Sequence, residues 1–127
     1  MTPLDPNFVL LFVQNPLASA AFYEDLLGRK PVESSPTFVM FPLREGQMLG
    51  LWGRDGVEPA VTAAPGGMEL CFKVPSPADV RATHESWKSR GLRIAQAPTR
   101  MDFGETFVAL DPDGHRLRVF HPAPEQP

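Results

Sequence analysis

The chain contains the same order of predicted elements twice, and this duplication limits its possible folds more than any other feature. A hairpin pattern at residues 37–52 is repeated at 106–120, with 37–41 matching 106–110. A helix pattern precedes each hairpin, at residues 15–28 and at 76–91. Each of these patterns starts with a capping residue followed by a proline and ends at a glycine. One such module cannot cover both faces of its sheet, so we expect two modules.

The predicted fold class is therefore α+β. Two βαβββ modules would form incomplete mixed-sheet barrels around a cavity, with the helices outside. The first module is expected at residues 7–53, a linker rich in proline, alanine and glycine at 54–67, and the second module at 68–121. A length of 127 residues predicts a single domain, 1–127, with a sizeable core.

Several segments carry more specific predictions. The nearly continuous apolar run at 7–13 predicts a strand buried on both faces, and 98–104 is expected to be a loop. Asp-Pro-Asp-Gly at 111–114 is typical of a tight turn. In the strand that follows, alternation places Leu117 and Val119 on one face and the charged Arg118 on the other.

Composition excludes several classes of function. A net charge of −3 provides no broad basic field, so no nucleic-acid partner is expected. No apolar run reaches the ~20 residues that span a bilayer and no signal-peptide pattern is present, so we expect a cytoplasmic protein without a membrane partner. Cys71, the single cysteine, forms no intrachain disulfide and is expected to be a buried, inert thiol.

A family resemblance follows from this order of elements combined with three motifs. Phe22-Tyr23 precedes a Leu-Leu-Gly helix end, and Asp-Pro-Asp-Gly-His lies near the C-terminus. Together they resemble the vicinal oxygen chelate superfamily, which includes glyoxalase I, extradiol dioxygenases and bleomycin-resistance proteins. Within the superfamily, the chain looks closest to the members that confer resistance to phenazine antibiotics by binding them. The segments that carry this likeness are 38–42, 50–52, 58–59 and 111–119. The resemblance also implies a homodimer.

The resemblance makes a prediction about metal binding as well. Enzymes of this superfamily place His, Glu or Gln at one cavity-facing position on each of four strands, where these residues hold a divalent ion. The matching positions here are Phe8, Gly50, Glu69 and Arg118. Three of these residues, Phe8, Gly50 and Arg118, cannot ligate a metal. Arg118 would also bring a positive charge to the place of the metal ion. We therefore expect no metal and no cofactor, which favours a binding protein over an enzyme.

The predicted cavity lining is aromatic and rich in thioethers, as expected for a flat apolar ligand. Trp52 is the predicted stacking platform, and Gly50 would leave room for a ligand ring. Met48 is assigned to the cavity lining because it alternates with core-facing residues along its strand. Phe41 is assigned to the lining from antiparallel pairing across the first hairpin. The full set of predicted ligand-binding residues is Trp52, Phe8, Phe41, Met48, Gly50, Glu69, Met101, Phe103 and Arg118.

Two questions remain open at the level of sequence. Glu69 and Arg118 either pair with each other or contact the ligand, where Arg118 would hold a carboxylate. The favoured function is sequestration of a small planar aromatic compound such as a phenazine-like antibiotic. The alternatives are a metal-dependent lyase or dioxygenase of the glyoxalase type, and a non-catalytic interaction module with a vestigial cavity.

Overall fold

The computed structural model describes residues 2–124 and divides the chain into two compact units, 1–63 and 64–127. The first unit contains the elements β1 (Phe8–Val13), α1 (Pro16–Leu27), β2 (Glu33–Ser34), β3 (Phe38–Pro42) and β4 (Met48–Gly53). Its sheet has the strand order β1-β4-β3-β2, in which β1 and β4 are parallel and the remaining pairs antiparallel.

Helix α1 forms where the capping pattern predicts it. The Asn15 side chain accepts a hydrogen bond from the Ala18 amide at 3.1 Å, and Pro16 occupies the first turn. Gly28 ends the helix in the left-handed conformation, with φ of 66°. The helix contacts β3 and β4 and buries Ser19, Ala20 and Tyr23.

The first sheet has one buried face and one open face. The buried side chains of its three longer strands are Leu11, Val13, Val39, Phe41, Leu49 and Leu51. On the other face of β1, Phe8 and Leu10 are 42% and 39% exposed. The prediction that β1 is buried on both faces is therefore wrong, because α1 packs against only one face of the sheet.

The second unit repeats this arrangement with β5 (Glu69–Lys73), α2 (Pro77–Ser89), β6 (Arg93–Met101), β7 (Gly104–Leu110) and β8 (Arg116–Pro122). Its strand order is β5-β8-β7-β6, with β5 and β8 parallel and the other pairs antiparallel. Helix α2 contacts β6, β7 and β8, so this sheet too has one face covered by a helix.

The core of the second unit lies between α2 and the sheet. Ser76 caps the helix by accepting a hydrogen bond from the Asp79 amide at 3.1 Å. The rings of Trp87 and His84 meet Phe107 edge-to-face, with centroid distances of 5.5 and 5.3 Å. The strand residues packed on this side are fully buried: Phe107, Ala109, Leu117 and Val119. The predicted faces of β8 are therefore confirmed.

The turn between β7 and β8 is confirmed as well. The Asp111 carboxylate is buried and accepts hydrogen bonds from the amides of Asp113, at 2.9 Å, and His115, at 2.8 Å. Gly114 adopts a φ of 97°, which a residue with a side chain disfavours. The Asp-Pro-Asp-Gly-His motif thus builds a turn whose polar groups are satisfied locally.

The loop predicted at 98–104 is wrong. Strand β6 continues to Met101, which pairs with Gly104 at the start of β7, so only Asp102 and Phe103 form the connection. Pro98 is tolerated because the register shifts between Gln96 and Thr99, where a proline breaks no regular ladder bond.

Two four-stranded mixed sheets, each with one helix on one face, confirm the predicted α+β class. Neither sheet closes into a barrel within residues 2–124. In the same part of the chain, no helix is long and apolar enough to cross a membrane.

Candidate functional site

The open face of the first sheet forms an apolar hollow of about 420 Å³ lined by Phe8, Leu10, Phe38 and Trp52. The parallel register places Leu10 beside Gly50 and Phe12 beside Trp52. The rings of Phe12 and Trp52 meet edge-to-face with centroids 6.2 Å apart, which orients the indole. This face combines large apolar side chains with few polar groups, as a site for a flat apolar ligand requires.

Gly50 allows the aromatic rings to lie over the strand. A Cβ at this position would be 2.7 Å from Leu10 Cδ2, 2.8 Å from Phe8 Cε1 and 3.2 Å from Phe38 Cε1. The space that the sequence analysis assigned to a ligand ring is therefore filled by the protein's own side chains. Gly50 shapes the floor of the hollow, and a ligand would contact the rings above it.

The predicted face of Phe41 is wrong. Phe41 pairs with Leu49, shares its face and is fully buried in the core against α1, whereas Phe38 pairs with Trp52 on the open face. The expected pairing across the first hairpin is one residue out of register, since Pro42 rather than Phe41 pairs with Met48, and a shift of one residue moves every side chain of a strand to the opposite face. In each hairpin, the two paired residues next to the turn are six positions apart in the sequence: 42 pairs with 48, and 110 pairs with 116.

The open face of the second sheet carries an ion pair between Glu69 and Arg118. Arg118 donates from Nε to Oε1 of Glu69 at 2.8 Å and from Nη2 to Oε2 at 2.9 Å. Its Nη1 donates to Gln96 Oε1 at 3.3 Å and to Thr106 Oγ1 at 3.2 Å. Of the two alternatives left open by the sequence, the structure shows pairing between Glu69 and Arg118.

Arg116 is a third member of this cluster, and no pattern in the sequence singled it out. Its Nη2 lies 2.6 Å from Glu69 Oε2, so one carboxylate faces two guanidinium groups. Hydrogen bonding to Arg118 is the main cause that lowers the pKa of Glu69, and the same bond raises the pKa of Arg118. Glu69 is therefore ionised at neutral pH, and one carboxylate with two guanidinium groups gives the cluster a net charge of +1.

Arg118 lies between two hollows on this face. One, of about 650 Å³, is lined by Arg116, Gln96, Met101 and Val108 among others. The other, of about 400 Å³, is lined by Glu69, Cys71, Phe103 and Phe120 together with Arg118. The Phe103 ring centroid is 5.8 Å from Arg118 Cζ, within cation–π range.

The predicted site residues thus divide between the two units. Trp52, Phe8, Met48 and Gly50 belong to the first unit, and Glu69, Met101, Phe103 and Arg118 to the second. Within the second unit, Met101 and Phe103 are exposed, and each lines one of the two hollows beside Arg118.

Cys71 is exposed, so the prediction of a buried thiol is wrong. It lies on edge strand β5 and pairs in register with Arg118, on the face that α2 does not cover. Partial burial and the neighbouring Glu69 carboxylate nevertheless raise the pKa of the thiol.

The residues at the superfamily's metal positions do not fit a divalent ion. Phe8 and Gly50 offer no ligand atom, and both carboxylate oxygens of Glu69 are bonded to arginines. Among residues 2–124, no group of three His, Cys, Asp or Glu side chains is arranged to hold a metal ion.

Comparison with known proteins gives consistent matches over nearly the whole chain. Residues 6–119 match the Glyoxalase/Bleomycin resistance protein/Dioxygenase superfamily. The phenazine antibiotic resistance protein EhpR of Enterobacter agglomerans is 32% identical over 119 residues, which cover 91% of each chain. An Agrobacterium tumefaciens protein, whose structure was solved by NMR in solution, is 50% identical to this chain, with a TM-score of 0.88. The match covers 96% of this chain and 100% of that protein's chain. A glyoxalase-related enzyme from Fulvimarina pelagi shares the fold, with a TM-score of 0.80 and 24% identity. The match covers 92% of this chain and 87% of that enzyme's chain.

Proposed function

The chain belongs to the glyoxalase/bleomycin resistance protein/dioxygenase superfamily, and we propose that it is a metal-free binding protein for a small planar aromatic compound, such as a phenazine-like antibiotic. One observation carries this proposal: Phe8, Leu10, Phe38 and Trp52 line an apolar hollow of about 420 Å³ on the uncovered face of the first sheet. Resistance would then result from sequestration of the compound.

The size and chemistry of the hollow support a fused-ring ligand. A three-ring compound that buries roughly 300 Å² of apolar surface gains about 7 kcal/mol before the costs of association. Each aromatic contact with Trp52 or the phenylalanines adds ~0.5–1.5 kcal/mol. Association costs offset much of this gain, so a dissociation constant of the order of micromolar is expected.

The relative EhpR supports the choice of ligand class. Its name describes resistance to a phenazine antibiotic, and the present chain is 32% identical to it over 91% of its length. The lack of a fitting metal-ligand set at Phe8, Gly50, Glu69 and Arg118 supports binding over the metal-dependent chemistry of other superfamily members.

A fluorescence titration with phenazine tests the proposal, because the chain has only two tryptophans, Trp52 and Trp87. Trp87 belongs to α2 and is buried between this helix and the second sheet, so Trp87→Phe leaves Trp52 as the only indole. In this variant, phenazine is expected to quench fluorescence saturably with a micromolar midpoint.

Trp52→Leu is the matched variant and is expected to weaken phenazine binding at least ten-fold by calorimetry. Biphenyl, which is apolar but not held planar, serves as the ligand control and is expected to bind more weakly than phenazine. Equal affinity of wild type and Trp52→Leu for phenazine, or no binding by wild type, would overturn the proposal.

Two further measurements separate this proposal from its alternatives. Stoichiometric Mn, Fe, Ni or Zn in purified protein, measured by elemental analysis, would favour a metal-dependent lyase or dioxygenase. We also propose that two chains pair as a homodimer, which light scattering coupled to size-exclusion chromatography tests directly.

A further inference from the structure

Arg116 is the least constrained charge in the cluster on the second sheet. Arg118 uses three of its nitrogens to bond Glu69, Gln96 and Thr106, whereas Arg116 makes one close contact, from Nη2 to Glu69 at 2.6 Å. The Arg116 side chain is 42% exposed, compared with 15% for Arg118. Arg116 can therefore leave the cluster while Glu69 keeps both of its bonds to Arg118.

The position of Arg116 also leaves a polar group unsatisfied. Its Nε is buried and has no hydrogen-bond partner in the described part of the chain. A buried donor without a partner destabilises the arrangement that leaves it unpaired. Moving the guanidinium from Glu69 into the adjacent hollow of about 650 Å³, which Arg116 lines, would expose this donor to an acceptor.

We propose that this hollow is a binding site for a small organic carboxylate, held by a two-point bond from Nε and Nη2 of Arg116 while Arg118 continues to neutralise Glu69. The parallel donors of a guanidinium match the two oxygens of a carboxylate. Met101 and Leu110 in the lining provide apolar contact for the rest of the molecule. This site lies in the second unit, so the proposal goes beyond the aromatic site of the first unit and does not depend on it.

The charge of the cluster selects the class of anion. Two guanidinium groups and one carboxylate leave a single positive charge, which a monoanion neutralises. A doubly charged phosphate would leave an excess negative charge beside Glu69. The site therefore favours a carboxylate over a phosphate, and the affinity should fall with rising ionic strength because the hollow is open to solvent.

Calorimetry on the full chain with 2-naphthoate, and with the neutral 2-naphthamide as its isosteric control, tests the proposal. Saturable binding of naphthoate is expected, with naphthamide at least ten-fold weaker. Arg116→Gln should weaken naphthoate binding about ten-fold or more, since a charged two-point bond is lost. Arg81→Gln is the control for overall charge, because Arg81 pairs with Glu105 outside the hollow, and it should leave the affinity unchanged.

Amide shifts in ¹H–¹⁵N spectra locate the bound naphthoate and confirm that each variant is folded. Shifts at Val108, Leu110 and Arg116 are expected. If Arg116→Gln does not fold, Arg116→Lys provides the second test, because it keeps the charge but not the two-point geometry and should bind several-fold more weakly. The proposal is overturned by equal affinity in the Arg116 variants, by absence of binding, or by shifts confined to the face around Trp52. That last result would leave the proposed aromatic site intact.

Discussion

Glu69 and Arg118 are 49 positions apart in the sequence, yet they form a two-point ion pair with N–O distances of 2.8 and 2.9 Å. The parallel pairing of β5 with β8 brings them together, since Glu69 lies opposite Arg116 and Cys71 opposite Arg118. This pair occupies two of the four positions at which the family resemblance places metal ligands. Together with Arg116, the pair gives this part of the sheet a net charge of +1.

Glu69→Gln is expected to lower the free energy of unfolding by about 2 kcal/mol, because it leaves the part-buried Arg118 without its ionic partner. Urea denaturation followed by circular dichroism at pH 7 measures this loss. Glu24→Gln removes an exposed ion pair with Lys30 and should change stability by less than about 1 kcal/mol. Equal effects of the two substitutions would contradict the structural role assigned to Glu69.

The stability difference between wild type and Glu69→Gln should depend on pH. The pKa of Glu69 is lowered in the folded state from its ordinary value of 4.5, chiefly by its hydrogen bond to Arg118. Its contribution is therefore complete above about pH 4.5 and is lost as pH falls through the lower folded-state pKa. Denaturation curves of the two proteins should converge in acid, and a gap that persists or widens there would count against the pair.

Gly50→Ala is expected to destabilise the protein by about 0.5–1 kcal/mol, because the outer atoms of the part-exposed Leu10 and Phe8 side chains must move aside for the new methyl group. Gly53→Ala in the same strand is the matched control. Its Cβ would meet Pro16 at an ordinary 3.5 Å, so no loss of stability is expected. Thermal unfolding of both variants checks the difference, and a neutral Gly50→Ala would show that Phe8 and Leu10 move freely.

Cys71 should react slowly with iodoacetamide although it is exposed, because its raised pKa reduces the thiolate fraction at pH 8. The folded protein is expected to react more slowly than the protein unfolded in urea. Glu69→Gln should speed the reaction, since it removes the carboxylate that raises the thiol pKa and keeps the Arg118 cation that lowers it. Faster alkylation in the folded wild type would contradict the assigned environment.

Local features of the sequence predicted most of the fold. The N-terminal caps of α1 and α2, the Asp111 turn and the alternation of β8 each depend on residues a few positions apart, and all are present as predicted. The duplication identified the βαβββ order for the same reason, since each module contains its own helix and hairpin signals.

The tertiary structure alone decided which side chains meet and which faces are covered. Strand register placed Phe38, rather than Phe41, beside Trp52, and helix coverage of one sheet face left Phe8 and Cys71 exposed. Pairing of β5 with β8 brought Arg116 and Arg118 to Glu69. Alternation along a strand is a local property with a period of two, so sequence reveals it directly. Register and coverage depend on contacts between distant segments, and these form only when the strands pair and the helices pack.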